Sequence, residues 1–257
     1  MSEALVRYSV DGNVARLTLD SPHNRNALST ALVNQLHQGL DDAAADPRVR
    51  VLVLGHTGGT FCAGADLSEA AGQDPGDIAV DRAREMTKTL RAILELPVPV
   101  IGAIDGHVRA GGMGLVGACD LVVAGPKSTF ALTEARIGVA PSIISLTLLP
   151  KMSPRAAGRY FVTGEKFGAA EAASIGLITM AADDVPGAVS ALADEIAKGS
   201  PQGLATSKAL TTASILRGFD RDAEDLTRQS AQLFVSDEAR EGIMAFLQKR
   251  PPRWVTG

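Results

Sequence analysis

The segment that decides the fold is IDGHVRAGGMGLVGACD, residues 104–120, which continues a run of apolar residues. Its glycines at 112, 114 and 117 match the G-x-G-x-x-G pattern of dinucleotide-binding proteins. In those proteins the glycines lie in the first strand-to-helix turn, and an acidic residue follows about 20 positions later. Here more than one hundred residues precede the glycines, and the first acidic residue after them is Asp120. The sequence therefore argues against an NAD site.

A second glycine-rich loop, GGTFCAGADL (58–67), follows another strongly apolar segment. Glycine lets other groups approach the backbone closely, and the start of a helix offers unpaired N–H groups to an anion. Two such loops could direct two backbone amides at one oxygen and form an oxyanion hole. From the spacing alone, two ordinary tight turns are the simpler interpretation.

The composition is typical of a globular protein. Of the 257 residues, 46% are hydrophobic and 21% are charged, and the formal net charge is −4. Nucleic-acid-binding proteins usually carry a basic face, which this charge does not favour. The longest stretches without Asp, Glu, Lys or Arg, 51–65 and 137–150, are shorter than the roughly 20 residues of a membrane span. We therefore expect neither nucleic acid nor membrane as a partner.

The two cysteines, Cys62 and Cys119, form no motif with each other or with the four histidines. Metal sites usually combine several such residues at characteristic spacings. Two unpaired-looking thiols are typical of a reducing compartment. We expect no metal and a cytoplasmic location.

The distribution of apolar residues predicts an α/β fold. Apolar runs, continuous or alternating, predict strands at 14–20, 49–55, 98–106 and 119–125. Helical periodicity is expected after Ser29, a candidate N-cap, at about 81–96, and over most of the chain beyond 153. Ser-Pro pairs at 153–154 and 200–201 are typical of helix starts.

Separated segments, in a fixed order, resemble the crotonase (enoyl-CoA hydratase/isomerase) superfamily. They are GGTFCAGADL (58–67), PVIGAIDGHVRAGGMGLVGACDLVVA (99–124), STFALTEARIGVAP (128–141), VTGEKFGAAEAASIGLI (162–178) and EAREGIMAFLQKR (238–250). The resemblance implies a crotonase-type spiral of ββα repeats in a core of residues 1–198. It also implies a C-terminal helical region, 199–257, that helps to assemble a homotrimer or a dimer of trimers.

The resemblance further implies an acyl-CoA thioester as the substrate, with no cofactor besides the CoA of that substrate. The family holds an enolate oxygen with two backbone amides, which correspond to those of Ala63 and Gly111. Residues matching the segments around the CoA nucleotide and thiol arm are Asn24, Arg25, Asn26, Ala27, Ala65, Asp66 and Leu67. On this interpretation the glycines of the opening segment serve a thioester oxyanion.

The acid–base residues depart from the family's pattern. Well-known hydratases carry two glutamates, and the second matches Glu134, whereas the first position is Gly114, which we expect beside the acyl group. Two carboxylates can hold and split a water molecule, while one carboxylate suffices to move a proton between the α and γ carbons. We expect hydration of a 2-enoyl-CoA as the leading reaction. Δ3-Δ2-enoyl-CoA isomerisation by Glu134 alone, or acyl-CoA binding without catalysis, are the alternatives.

Arg109 is a second departure, because a plain apolar residue is usual next to the oxyanion glycine. A guanidinium suits recognition of a carboxylate. The segment VRAGG (108–112) resembles that of hydratases acting on branched, carboxylated substrates such as 3-methylglutaconyl-CoA. A structural ion pair of Arg109 with Asp105 or Asp120 is an equally good interpretation.

Overall fold

A computed structural model describes residues 4–66 and 75–255 of the chain. The strands are β1 (Val6–Asp11), β2 (Val14–Leu19), β3 (Val51–His56), β4 (Thr60–Cys62), β5 (Val100–Ile104), β6 (His107–Arg109), β7 (Leu121–Ala124), β8 (Thr129–Ala131), β9 (Phe167–Gly168) and β10 (Met180–Ala181). The α-helices are α1 (Thr30–Ala45), α2 (Pro75–Glu95), α3 (Gly111–Ala118), α4 (Ser145–Leu148), α5 (Pro154–Thr163), α6 (Ala169–Ser174), α7 (Val185–Ala197), α8 (Pro201–Phe234) and α9 (Asp237–Leu247). Short 3₁₀ helices span Pro22–Asn24, Glu134–Ile137 and Arg253–Val255.

The strands form two sheets. The larger has the order β1-β2-β3-β5-β7-β10 and is parallel except for the hairpin of β1 and β2. The smaller has the order β4-β6-β8-β9 and is parallel except for the β8–β9 pair. Along the chain each of β3, β5 and β7 is followed by a strand of the smaller sheet and then by a helix. This confirms the predicted α/β fold of ββα repeats.

The predicted strands and the helix after Ser29 are confirmed. β5 is almost completely buried, as its continuous apolar sequence predicts. Helix α1 begins where Ser29 accepts a hydrogen bond from the Leu32 amide, 3.2 Å. The apolar face of α1, including Leu32 and Leu36, is buried against the core.

Helix α8 joins segments 201–216 and 221–234, each with helical periodicity, into one helix of 34 residues. No proline interrupts positions 202–234, and Ile215 and Phe219, four positions apart, are both buried. Their shared face continues the apolar stripe across the junction, so the helix does not break. The start of helix α2 also differs from the prediction, because the helix begins at Pro75 and not near 81.

A buried ion pair connects α8 to the larger sheet. The Lys208 side chain is 3% exposed, and its Nζ lies 2.8 Å from a carboxylate oxygen of Asp120. Nζ also donates to the carbonyls of Ile93 and Val98 at 2.8 and 3.1 Å. Asp120 in turn accepts from the Val100 amide, 2.8 Å. Burial lowers the pKa of the Lys208 ammonium, while neighbouring Asp120 opposes that shift. These bonds fix α8 at the amino end of β5.

The helices within the described part of the chain are all too short or too polar to cross a bilayer. The finding concerns residues 4–66 and 75–255 only.

Candidate active site

The two glycine-rich loops meet at Gly64 and Gly111. A Cβ atom at Gly64 would lie 2.7 Å from the Cβ of Ala110 and 3.3 Å from the amide nitrogen of Gly111. Gly64 also has φ +95°, which residues with a side chain rarely adopt. A Cβ at Gly112 would lie 2.7 Å from the Cys62 carbonyl oxygen. The glycines are therefore required for close backbone packing between the loop after β4 and the start of α3.

The amide of Ala63 is not a free donor at this junction. It donates to the Arg25 carbonyl oxygen at 3.1 Å, so the expected role of Ala63 is wrong. Leu28 pairs with Ala65 as in a parallel sheet, where the Leu28 amide donates to Gly64 and the Asp66 amide donates to Leu28. Successive peptide groups of an extended strand point to opposite sides. The Ala65 N–H therefore points away from Leu28, and Ala65 is exposed.

Helix α3 presents its amino terminus at the same junction. Gly111 is its first residue, and the preceding Ala110 has φ 46°, a positive value unusual for a residue with a side chain. Such strain is retained where the surrounding structure enforces it, often at functional sites. Positions 112–118 are all buried. Ala110 and Gly111 themselves are half-buried, so the partial positive charge at the start of α3 is only partly screened by water.

Glu134 lies at the start of the 3₁₀ helix Glu134–Ile137 and is 8% exposed. Its Oε2 atom is buried and has no hydrogen-bond partner among the described residues. Burial raises the pKa of the carboxyl from 4.5 to about 7, and a hydrogen bond from its own backbone amide opposes this shift. A carboxyl group that is about half ionised near neutral pH can act as both proton donor and proton acceptor.

The space beside Gly114 is filled by side chains of the protein, and its expected place beside the acyl group stays a prediction. A Cβ at this position would lie 2.6 Å from Cγ2 of Ile144 and 3.3 Å from Cδ1 of Leu90. The Gly114 carbonyl oxygen accepts a hydrogen bond from the Thr147 hydroxyl, 3.1 Å. Hydrocarbon side chains thus occupy the space where the family's other glutamate would begin. Gly114 is a packing residue between α3 and α4.

The loop at 24–28 contacts the Asp66 backbone, whose amide donates a hydrogen bond to the Leu28 carbonyl. The residues of this loop differ in solvent accessibility. Asn26 is fully buried, and its amide donates to the carbonyls of Thr57 and Thr60 at 3.0 and 2.8 Å. This excludes Asn26 from substrate contact and makes it a structural residue. Ala27 is also buried, at 7% exposure.

Asn24 and Arg25 are the accessible residues of this loop. Nδ2 of Asn24 donates to a carboxylate oxygen of Asp66, 3.2 Å. Arg25 is exposed and has φ 62°. Through Asp66 and Ala63, these two residues lie next to the segment that contains the exposed Ala65. Leu67, the remaining residue of the predicted set, lies outside the described residues.

Arg109 forms no ion pair with Asp105 or Asp120, so that structural interpretation is wrong. Asp105 pairs with Lys127, 3.2 Å, and Asp120 with Lys208. The Arg109 guanidinium donates to the carbonyls of Val108 and Thr129, both at 2.7 Å, and to the Thr129 hydroxyl at 2.9 Å. Burial lowers its pKa. Within the described part of the chain, this half-buried charge has no carboxylate partner.

Sequence reasoning missed Ile144 and Leu90 as the wall beside α3, and it did not anticipate that the Ala63 amide bonds to Arg25. Nothing in the sequence distinguishes the amides of Ala63 and Ala65, because the direction of each depends on which segment pairs with it. Nothing in the sequence indicates that Ile144 and Leu90 meet at Gly114. No group of three or more metal-binding side chains occurs among the described residues.

The family model for enoyl-CoA hydratase/isomerase matches residues 9–257. A solved structure of an enoyl-CoA hydratase from Mycobacterium avium is 67% identical, with a TM-score of 0.93 over 98% of this chain and 100% of that chain. The enoyl-CoA hydratase EchA19 of Mycobacterium tuberculosis is 33% identical over 95% of this chain and 93% of its own length. The carnitinyl-CoA dehydratase of Proteus mirabilis is 30% identical over 99% of both chains.

The chain belongs to the enoyl-CoA hydratase/isomerase family, the crotonase superfamily. It is an enzyme of that family, and its α/β architecture is the family's fold.

Proposed function

We propose that the protein adds water to the double bond of a 2-enoyl-CoA thioester. The observation that carries this proposal is the buried carboxyl of Glu134, whose pKa is raised to about 7. The names of the family and of its relatives support an enoyl-CoA substrate. The retention of Glu134 argues against an acyl-CoA-binding protein without catalysis.

The thioester oxygen would be bound by the amides of Ala65 and Gly111. Support comes from the backbone contact of the two loops at Gly64 and from the start of α3 at Gly111. As water adds to the β carbon, negative charge moves onto the thioester oxygen and forms an enolate. Two amide donors and the α3 dipole stabilise that charge more strongly than the neutral substrate, which accelerates the reaction.

Glu134 would transfer both protons of the reaction. In its carboxylate form it accepts a proton from the attacking water, and the resulting carboxylic acid then gives a proton to the α carbon. The product is a 3-hydroxyacyl-CoA, and Glu134 ends as a carboxylate again. A pKa near the working pH favours both half-steps.

Isomerisation of a 3-enoyl-CoA is a second candidate, which the surroundings of Gly114 favour. Ile144 and Leu90 stand where a second carboxylate would hold water. Without that water, the Glu134 carboxylate can remove an α proton from a 3-enoyl-CoA, which gives a dienolate, and the resulting carboxylic acid can return the proton to the γ carbon.

The test is a panel of 2-enoyl- and 3-enoyl-CoA thioesters, assayed for both hydration and isomerisation. We expect turnover of at least one 2-enoyl-CoA to its 3-hydroxy product. The Glu134→Gln variant should lose about 10²–10⁴-fold in kcat while still binding acetoacetyl-CoA. Turnover of 3-enoyl-CoA alone would replace hydration by isomerisation. No turnover of any thioester, or full activity of the variant, would refute the proposal.

A branched substrate with a distal carboxylate is a finer part of the proposal. Its support is the half-buried charge of Arg109, which lacks a carboxylate partner among the described residues. Arg109→Met should then lower kcat/KM for 3-methylglutaconyl-CoA roughly 10- to 150-fold, with little loss for crotonyl-CoA. Equal losses on both substrates would mean that Arg109 only braces β6 against β8 through Thr129.

The assembly, the cofactor and the location are proposed from the resemblance. We propose that residues 199–257 help to form a homotrimer or a dimer of trimers, that the CoA of the substrate is the only coenzyme, and that the enzyme is cytoplasmic. Exposed apolar side chains on α9, among them Phe246 and Leu247 at 63% and 61%, support an assembly through this region. Light scattering after size-exclusion chromatography would give the number of subunits.

A further inference from the structure

The segment that carries Glu134 is short and weakly held by itself. The 3₁₀ helix has four residues, and the Glu134 carbonyl accepts from the amides of Gly138 and Val139. Such short 3₁₀ helices have poor hydrogen-bond geometry and depend on tertiary packing. On one side, Arg136 donates to the Thr163 carbonyl at the end of α5, 3.0 Å.

Helix α9 packs against the other side with its backbone. A Cβ at Gly242 would lie 2.5 Å from the carbonyl carbon and oxygen of Ile137. A Cβ at Gly138 would lie 2.6 Å from the carbonyl carbon of Glu238. Ala239 and Ala245, on the same helix, are 0% and 1% exposed. The two backbones therefore meet without intervening side chains, and neither can shift toward the other.

The amino end of α9 is fixed independently. Ser236 caps the helix, and its hydroxyl accepts from the Ala239 amide at 3.1 Å. In the preceding helix, Gln229 accepts a hydrogen bond from Ser142, 2.8 Å, in the segment that links the 3₁₀ helix to α4. The support for Glu134 thus comes from residues about one hundred positions later in the chain.

We propose that Gly242 is a positioning residue for catalysis, because its backbone contact with Ile137 sets where the Glu134 carboxyl stands. The inference rests on the proposed role of Glu134 as the proton-transfer group. A methyl group at position 242 would push the 3₁₀ helix away from α9 and move the carboxyl from its place. Displacements of about 1 Å can cost 10²-fold in rate.

The experiment compares Gly242→Ala with Gly218→Ala, a matched control on α8. A Cβ at Gly218 meets no atom within 4 Å, so the control makes the same substitution in open space. We expect Gly242→Ala to lower kcat roughly 10- to 100-fold, with KM within about twofold of wild type. The control should keep wild-type kcat. A loss of equal size in both variants, or no loss in Gly242→Ala, would overturn the proposal.

A second readout separates positioning from general loss of structure. A displaced carboxyl reaches water, so the pKa of Glu134 should fall from about 7 toward 4.5. Nearby charged side chains are exposed and interact weakly with it: Arg136 on the 3₁₀ helix, Arg155 and Arg159 on α5, and Asp237, Glu238 and Arg240 on α9. The pKa is measured by NMR titration of ¹³C-labelled glutamate, with Glu134→Gln identifying the signal. An unchanged pKa in Gly242→Ala would overturn the proposal.

If Gly242→Ala shows no cooperative unfolding transition, and is therefore not folded, Ala239→Gly is tested in its place. It removes a buried methyl group of α9 without creating a clash, and it should lower kcat and the pKa of Glu134 in the same direction. Unchanged kcat and pKa in that variant would overturn the proposal. The titration does not require turnover, so an inactive wild type would refute the proposed function while the positioning inference is still tested.

Discussion

At the scale of single residues, Glu134 couples the chemistry to the stability of the fold. Its carboxyl is buried with one oxygen unpaired, and its pKa is raised to about 7. The folded protein therefore binds this proton more tightly than the unfolded chain does. The stability that the group contributes is complete below about pH 4.5, and it is lost as the pH rises through about 7.

We predict that Glu134→Gln removes this pH dependence. At pH 5 the variant and the wild type should have similar free energies of unfolding. At pH 8 the variant should be more stable by about 3 kcal/mol, because a neutral amide replaces a buried charge. Urea unfolding at several pH values gives the difference. A difference that does not change between pH 5 and 8 would mean that the carboxyl is solvated.

Gly64 provides a test of the proposed oxyanion site, which the amides of Ala65 and Gly111 would form. Gly64→Ala places a methyl group 2.7 Å from Ala110 and at φ +95°, so the two loops must separate. We predict a loss of about 10²–10³-fold in kcat, the usual effect of losing an oxyanion donor. Gly59→Ala in the same loop, where a Cβ meets nothing within 4 Å, is the control. Similar rates for the two variants would argue against an oxyanion site at this junction.

The sequence predicts the residue types of the site better than their exact roles. Glu134 and Gly111 could be named because the resemblance matches them one by one. Ala63 was wrong, since the direction of a backbone amide depends on which strand pairs with it. Asn26 was also wrong as a substrate residue, because its burial results from contacts with distant segments.

At the scale of elements, the contact of α3 with α4 determines whether a second carboxylate fits. We predict that Gly114→Glu alone destabilises the protein by about 1–3 kcal/mol or more, because its Cβ lies 2.6 Å from Ile144. Ile144→Ala removes the closest carbon, Cγ2, and leaves Ile144 Cβ and Leu90 Cδ1 at 3.2 and 3.3 Å. The double variant should therefore recover stability relative to Gly114→Glu and hydrate faster than Ile144→Ala alone.

Thermal unfolding and hydration assays of the three variants check this prediction. A double variant that is no more stable than Gly114→Glu would show that Ile144 is not the obstruction. A double variant that recovers stability but hydrates no faster than Ile144→Ala would mean that water reaches the double bond from another direction.

The elements themselves were largely predictable. Each predicted strand is present, because buried strands have continuous apolar runs and half-buried ones alternate. The single long helix α8 was not predicted, because the burial of Ile215 and Phe219 in the core, on which its continuity depends, arises only in the folded protein. The short strands of the smaller sheet leave too few residues for a recognisable period.

At the scale of the whole molecule, the Lys208–Asp120 pair connects the helical region to the core. We predict that Lys208→Met lowers the free energy of unfolding by about 3–5 kcal/mol, because it leaves the Asp120 carboxylate buried without its cation. The double variant Lys208→Met with Asp120→Asn should lose less. Urea unfolding measures the free energy of unfolding of the single and the double variant. Equal losses would mean that the packing of the Lys208 side chain, and not its charge, matters.

The overall architecture could be predicted from the sequence only through the resemblance. Periodicity alone predicted alternating strands and helices followed by helices, which many α/β proteins share. The two-sheet arrangement depends on β3, β5 and β7 of the larger sheet each being followed by a short strand of the smaller one. Those short strands have no sequence signal of their own.

The packing of α9 against the 3₁₀ helix of Glu134 also has a consequence for the newly synthesised chain. More than one hundred residues separate Glu134 from Asp237, where α9 begins. At about 5–20 residues per second, a ribosome needs at least roughly 5 s to make that interval. During this time Glu134 exists without the helix that packs against its segment. With the roles proposed for Glu134 and Gly242, we expect activity to appear only late in synthesis, when α9 docks.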